Sequence, residues 1–246
     1  MTHRLSVCMA IYNGAQFIEP QIRSILTQLG PQDELIAVDD GSCDNSEAIV
    51  RSFGDARIRY IRNPRNLGVV KTFERALAES TGDLVFLSDQ DDIWADNKVQ
   101  RTLETFTTTG AACILSDALL VDGDDISLNQ TFFEWRQSRP GLVRNWLRNS
   151  FMGCTMALRR DVAMVAVPFP SAIYMHDQWL GMLATVAGKV VFLPEPLIRY
   201  RRHGGNVTTM ARSSASVMLQ RRFAFATCFI LRLPRVLWFR LSPKSR

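Results

Sequence analysis

Gly82-Asp-Leu-Val-Phe-Leu-Ser-Asp-Gln-Asp-Asp-Ile-Trp94 decides how this chain is read. Its first half contains Leu84-Val-Phe-Leu87, a short apolar run of the kind a strand shows when both its faces are buried. Its second half crowds Asp89, Asp91 and Asp92 into four residues. Carboxylates this close repel one another unless a cation joins them. Oxygen ligands suit Mg²⁺ or Mn²⁺, and Mg²⁺ is commonly held by one or two carboxylates together with substrate phosphates. A solvated acidic turn would have the same composition. The position at a strand end is what favours the cation.

Working outward, strand-like and helix-like segments alternate. Residues 5–11 are an apolar run that predicts a first strand. Residues 15–29 carry Phe17, Ile18, Ile22, Ile25, Leu26 and Leu29 at helical spacing, stopped by Gly30-Pro31. Residues 34–38 predict a strand, 44–53 a helix capped by Asp44 or Ser42, 57–61 a strand, and 69–79 a helix ending near Thr81-Gly82. Beyond Trp94 the pattern predicts a helix over 96–107, strands over 112–121, 151–158 and 190–193, and a helix over 180–187. Leu197 to Tyr200 is also strand-like, and 122–150 is irregular with Phe132, Phe133, Trp135 and Trp146.

Strands alternating with helices across short loops predict a parallel sheet covered by helices. Ligands of such sheets sit at the carboxyl ends of the strands. Tyr12-Asn13-Gly14, Asp39-Asp40-Gly41-Ser42 and the Asp89–Asp92 cluster each fall just past a strand end, so all three should line one rim.

Single residues add chemistry. A carboxylate at Asp39 or Asp40 can accept hydrogen bonds from a base or a ribose, or close an Asx turn. Asp177 in His176-Asp177 can serve as a general base, or cap a helix. His203, before Gly204-Gly205, can meet a metal or a phosphate, or simply occupy a polar turn. No GxSxG, Walker, GxGxxG or HExxH pattern is present, so hydrolase, P-loop and dinucleotide readings have no motif to rest on.

The bulk properties agree with one α/β domain carrying a tail. The chain has 246 residues, 47% apolar and 22% charged, enough for a sizeable core without disulfides. Its five cysteines include no CxxC pair, which predicts reduced thiols in a cytosolic protein. The first apolar run is too short for a signal sequence, and no apolar stretch reaches the roughly 18 residues of a membrane span. The net charge of +5 is uneven. No Asp or Glu follows Glu195, and residues 1–195 carry eighteen basic against twenty-four acidic side chains. The basic tail interleaves arginines with Phe223, Phe225, Phe229, Ile230, Leu231, Trp238 and Phe239. This predicts contact with an anionic membrane surface, the alternative being a helix docked on its own domain.

Taken together, Ser6–Gly14, Ile25-Leu-Thr-Gln28, Val38-Asp-Asp-Gly-Ser42, Asn66-Leu-Gly68, Gly82–Trp94, Gly153-Cys-Thr-Met156, His176-Asp-Gln-Trp-Leu180 and Tyr200-Arg-Arg-His-Gly-Gly-Asn206 resemble family 2 glycosyltransferases of the GT-A fold. The likeness is greatest to the bacterial rhamnosyltransferase branch. It implies a Rossmann-like, mixed and mainly parallel α/β sheet flanked by helices over residues 1–210, with a basic amphipathic, helical tail over 211–246. It also implies that Ala10, Tyr12, Asp39, Asp40, Asn66, Gly68 and Asp89 bind the nucleotide and donor. Asp91 and Asp89, with His203, would hold Mg²⁺ or Mn²⁺; Asp177 would be the base; and Gly153, Thr155 and Trp179 would face the acceptor.

The implied reaction is inverting transfer of a sugar, rhamnose first, from a nucleoside-diphosphate-sugar such as dTDP-rhamnose to an acceptor hydroxyl in surface polysaccharide or O-antigen synthesis. The acceptor would be lipid-linked or a polysaccharide, and the enzyme cytoplasmic and peripheral on the inner face of the plasma membrane. A UDP-hexose donor, or a catalytically silent assembly partner, are the alternatives. No nucleic acid is expected, since no binding module appears. The QxxRW of processive relatives is absent, which implies one sugar added per encounter.

Overall fold

The computed structural model describes residues 3–202 and 214–242. Its strands, among the described residues, form one nine-stranded sheet. Strands β1 (Leu5–Ile11), β2 (Glu34–Asp39), β3 (Ile58–Arg62) and β4 (Leu84–Asp89) run parallel in the order β3-β2-β1-β4. The helices between them are α1 (Ile18–Leu26), α2 (Ser46–Ser52) and α3 (Val69–Glu79). Every residue of β2 is buried, and all of β1 except Ala10. Alternate β1 side chains feed two apolar layers: Cys8 packs with Phe73, Ala76 and Leu77 of α3, while Val7, Met9 and Ile11 pack with Ile18, Ile22 and Ile25 of α1. A sheet covered on both faces this way needs apolar residues at consecutive positions, which is why these strands are plain in the sequence.

The second half completes the sheet with mixed directions. The short strand β5 (Ile93–Trp94) and helix α4 (Lys98–Thr109) lead to β6 (Cys113–Val121). Residues 122–150, read as irregular, contain β7 (Ser127–Thr131), α5 (Phe132–Arg136) and α6 (Leu142–Leu147). Thr131 and Glu134 form a capping box that starts α5. The strand predicted over 151–158 divides into a 3-10 turn, Gly153–Thr155, and β8 (Met156–Arg159), which lies antiparallel between β4 and β6. Helix α7 (Arg160–Ala166) follows, and α8 (His176–Ala187) begins four residues before the predicted start, so His176 and Asp177 occupy its first turn. Strand β9 (Val190–Arg201) joins the two predicted short strands through Pro194 and Pro196. Its pairing with β6 shifts register opposite them, where a missing amide donor is tolerated.

The last described element is α9 (Ala215–Leu241). Its inner face buries Phe225, Phe229 and Val236, with the Phe225 ring edge-on to Trp179 at 5.9 Å. Its arginines also turn inward. Arg232 donates to the carbonyls of Val165 and Pro168, Arg235 to those of Met164 and Val167, and Arg240 to that of Val186. These carbonyls lie at the C-terminal ends of α7 and α8, where helices leave acceptors unpaired and carry partial negative charge. Docking on its own domain, one of the two readings of the tail, therefore holds for one face of α9. Its other face exposes Phe223, Ile230, Leu231, Trp238 and Leu241.

Candidate active site

The carboxyl ends of β1, β2 and β4 open onto a cavity of about 530 Å³. Ala10, Tyr12, Asp40, Asn66, Gly68, Asp89, Asp91, Gly153 and Asp177 all line it, so most of the residues chosen from the sequence converge.

The β1 and β4 ends are joined by a residue that the sequence reading passed over. Gln90 Nε2 donates to the Tyr12 carbonyl at 3.0 Å, and Gln90 Oε1 accepts from the Tyr12 amide at 2.8 Å. A Cβ on Gly14 would stand 2.1 Å from Gln90 Oε1, so the glycine makes room for this clamp.

At the β2 end the two aspartates take separate tasks. Asp40 lies at the cavity wall, yet its carboxylate accepts from Asn63 Nδ2 at 2.7 Å and from the Leu67 and Gly68 amides at 2.9 and 2.8 Å. It thereby folds the Asn66–Gly68 loop onto the rim. Gly68 has φ 86°, in the left-handed region that favours glycine. Asp39 is wholly buried and accepts from the Ser42 amide at 2.7 Å and the Tyr60 hydroxyl at 2.8 Å.

The β4 end gathers negative charge. Burial, then Asp91 and Asp177, push the Asp89 carboxyl up to about 7. Burial, then Asp91 and Asp89, hold Asp92 well above the usual carboxylate range. Asp92 Oδ1 accepts from the Arg201 amide at 3.3 Å, while Oδ2 is buried without a partner. Ligand atoms of Asp89, Asp92 and Cys154 all lie within 4.8 Å of one another. Burial, followed by Asp92 and Asp89, raises the Cys154 thiol, and soft sulfur is not a ligand that hard cations favour. The oxygen donors are therefore the ones that fit a hard cation such as Mg²⁺ or Mn²⁺, with the orphaned Asp92 oxygen as the direct sign of a missing partner. Lys98 is buried nearby, with Nζ 5.1 Å from the Trp94 ring centroid, and burial lowers it to about 8. Cys154 and Lys98 thus join a carboxylate cluster that the sequence suggested as Asp89, Asp91 and Asp92, with Asp89 and Asp91 as its expected ligands. His203 lies outside the described residues.

Across from these, α8 presents its first turn. Burial raises Asp177 to about 6, partly offset by the Gln178 amide at 2.6 Å and by Asn149 Nδ2 at 3.3 Å. A carboxylate poised near neutrality and lining a cavity has the character of a general base. His176 stacks on Phe73 at 4.2 Å, and burial holds it neutral, at about 3. Its Nε2 has no partner and would sit 2.6 Å from a Cβ on Gly153, which explains that glycine. The other two residues expected at the acceptor lie in the core. Thr155 is buried and donates to the Met152 carbonyl at 2.8 Å. Trp179 is fully buried under α9, where its Nε1 donates to the Ala166 carbonyl at 3.1 Å.

Comparison with known proteins gives a consistent picture. A family model described as Glycosyl transferase family 2 matches residues 6–165. An uncharacterized glycosyltransferase of Nostoc sp. is 28% identical over 222 residues, covering 87% of this chain and 69% of that one. The Escherichia coli UDP-Glc:alpha-D-GlcNAc-diphosphoundecaprenol beta-1,3-glucosyltransferase WfgD is 28% identical, with 73% and 69% covered. The Shigella flexneri dTDP-rhamnosyl transferase RfbG is 25% identical, with 80% and 72% covered. Among solved structures, Staphylococcus aureus TarS in complex with UDP-GlcNAc superposes with a TM-score of 0.71 at 17% identity, covering 96% of this chain and 71% of that one. The mannosyltransferase PcManGT of Pyrobaculum calidifontis, in complex with GDP-Man and Mn²⁺, gives 0.62 at 17% identity, with 96% and 74% covered. Both likenesses establish the GT-A architecture of the sheet.

Proposed function

The chain belongs to glycosyl transferase family 2, and from that premise we propose that it transfers a sugar, with inversion, from a nucleoside-diphosphate-sugar to an acceptor hydroxyl in the synthesis of a bacterial surface polysaccharide. The observation that carries this reading is the convergence of Asp177 with Asp89 and Asp91 on one cavity at the strand ends.

In this reading Tyr12, Asn66, Gly68 and the loop set by Asp39 and Asp40 receive the nucleoside. Asp89 and Asp91, with the neighbouring Asp92, would hold a divalent cation, and the family resemblance adds His203 to that set. A cation there supplies charge to the departing nucleoside diphosphate as a Lewis acid. Asp177 accepts the proton of the attacking hydroxyl, and its raised value keeps it basic enough to take a proton near neutral pH. Gly153 and neutral His176 form the wall beside it. The unpartnered Nε2 of His176 offers one hydrogen bond to a bound sugar.

For the donor sugar we favour rhamnose, on the resemblance noted from the motifs and the similarity to RfbG; a UDP-hexose is the alternative, on the similarity to WfgD. Turnover assays with dTDP-rhamnose and UDP-glucose, reading release of the nucleoside diphosphate, separate the two. Consumption of UDP-glucose alone would end the rhamnose reading.

We also place the protein at the inner membrane surface. No helix among the described residues is long and apolar enough to cross a membrane. Helical spacing sets Phe223, Ile230, Leu237 and Leu241 of α9 in one outward stripe, with Leu231 and Trp238 beside it, 76% and 74% exposed. The arginines of α9 are turned to carbonyls and a ring of their own domain, so it is the apolar ridge itself that would enter a headgroup layer.

A further inference from the structure

Cys154 takes no part in the proposed transfer, yet its sulfur lies among the carboxylates that do. Ligand atoms of Asp89, Asp92 and Cys154 all lie within 4.8 Å of one another, and among the described residues Asp91 is not one of this group. Asp91 lines the open cavity, as Asp89 does. Asp92 and Cys154 lie behind the wall, 1% and 0% exposed.

The fold holds each of the three in place. Gln21 Nε2 donates to Ser88 Oγ at 2.7 Å and to the Asp89 carbonyl at 3.2 Å, which fixes the end of β4. The Arg201 amide donates to Asp92 Oδ1 at 3.3 Å and leaves Oδ2 buried without a partner. Cys154 is the middle residue of the 3-10 turn Gly153–Thr155. The Thr155 amide and hydroxyl close that turn on the Met152 carbonyl, at 3.2 and 2.8 Å. Hydrogen bonds to the backbone thus set all three donors before an ion arrives.

The donor set decides which ion fits. Mg²⁺ demands an octahedron of oxygens and keeps several waters, so it can use the carboxylates and the open cavity but gains nothing from sulfur. Two carboxylate oxygens and one sulfur in a closed pocket are three corners of a tetrahedron. Zn²⁺ takes sulfur at about 2.3 Å and carboxylate oxygen at about 2.0–2.2 Å, often with three protein ligands and a fourth position left to water. Asp89 alone of the three lines the cavity, so the open position lies on its side. As the sulfur binds, the thiol passes its proton to solvent, and the ion meets three anions. Lys98, buried within electrostatic reach of Asp92 and Cys154, supplies the positive charge that a dication among three anions leaves wanting.

We propose that Asp89, Asp92 and Cys154 form a second cation site, selective for a thiophilic ion such as Zn²⁺, and that filling it stops transfer by taking Asp89 from the cation that serves the nucleoside diphosphate. The site stands on its three donors. Only the inhibition rests on reading Asp89 as a ligand of the transfer cation.

The test uses the full chain with Cys43→Ser and Cys228→Ser, which removes the two thiols that are not buried, and Co²⁺ as the spectroscopic probe. A thiolate-to-cobalt charge-transfer band is expected in the near ultraviolet, displaced by Zn²⁺. Cys154→Ser should abolish the band and weaken Zn²⁺ by at least about tenfold, the least that loss of even an outer-shell partner costs. Asp92→Asn should weaken both ions by a similar factor with the thiol in place, so a folding defect in one variant, read by circular dichroism, does not decide the outcome. Asp91→Asn should keep the band. Zn²⁺ should also cancel the thermal shift given by UDP or dTDP with Mn²⁺, and Cys154→Ser should need about tenfold more of it.

No band in the starting protein, or one that survives Cys154→Ser, overturns the site. A band lost in Asp91→Asn overturns it too, by merging the two sites into one. Zn²⁺ that displaces Co²⁺ without cancelling the nucleotide shift overturns the inhibition. Failure of the transfer reading shows itself separately, as no shift with any nucleoside diphosphate and Mn²⁺ beside an intact cobalt band.

Discussion

Gln90 grips the backbone of Tyr12 from both sides, donating to its carbonyl and accepting from its amide. The middle residue of the acidic cluster is therefore the tie that fixes the β1 loop beside the β4 loop. Gln90→Ala removes both bonds. At about 1 kcal/mol for the pair, it should raise the KM for the donor roughly fivefold while leaving kcat within about twofold. Steady-state kinetics with the donor varied checks this; an unchanged donor KM would make the clamp irrelevant to binding.

Asp177→Asn keeps the shape of the site and removes the proton acceptor. Turnover should fall about 10²–10⁴-fold with the fold intact by circular dichroism. The pH dependence follows from the raised carboxyl. The base acts only when ionised, so the wild-type rate should climb with pH through about 6 and level off above it. The residual rate of the variant should lack that climb.

Asp40 takes three hydrogen bonds from the 63–68 segment. Asp40→Ala leaves the Leu67 amide at the rim without its acceptor and the Gly68 amide with Asn66 Oδ1 alone. It should cost about 2–3 kcal/mol in urea unfolding and also abolish measurable donor binding, because the loop it shapes is part of the wall. Retained stability with lost binding would instead indicate direct contact with the nucleoside.

Glu34 is nearly buried and accepts from Ser6 Oγ, from the Thr81 amide and hydroxyl, and from Arg59. Burial alone would raise its carboxyl, but the hydrogen bonds from Thr81, Ser6 and Arg59 outweigh it and lower the group from 4.5 to about 2. A lowered value in the folded state means that its stabilisation is fully present above about 4.5 and fades as pH falls toward about 2. Glu34→Gln should therefore destabilise at pH 7, and the gap from wild type should narrow as pH drops below 4.5. Unfolding midpoints across that range decide it.

Leu231→Ser with Trp238→Ser alters two side chains that are mostly exposed on α9. Thermal stability should change little, while binding to anionic vesicles should fall several-fold. Unchanged vesicle binding would leave the outer stripe without a membrane role.

How much of this was legible depended on whether a contact is local. Strands β1, β2 and β4 announced themselves because burial on both faces keeps most of each run apolar, while the edge strand β3 has no buried residue and mixes Ile and Tyr with Arg; their shared carboxyl ends follow from the topology. Helix α7 escaped because Val162-Ala-Met-Val-Ala-Val167 reads equally well as a strand. The capping box of α5 opens a helix of only 5 residues, too short to show a period. Gln90 looked like a spacer, since its partner is 78 positions away. Lys98 and Cys154 join Asp92 in one buried cluster only after β8 folds beside β4, and no local pattern links them to it. Trp179 was expected at the acceptor on the family resemblance, whereas its place two positions after Asp177 on α8 turns it into the core against Phe225.

The central claim is that the carboxylates at the end of β4 and the loops of β1 and β2 make one cation-assisted nucleoside diphosphate site. Thermal shift with UDP and dTDP, each with and without Mn²⁺, in the wild type and in Asp91→Ala, tests it most directly, since a ligand of the native state raises apparent stability by mass action. The account predicts a shift that needs nucleotide and Mn²⁺ together and is lost in Asp91→Ala. A shift of equal size without Mn²⁺, or one that survives in Asp91→Ala, would contradict it.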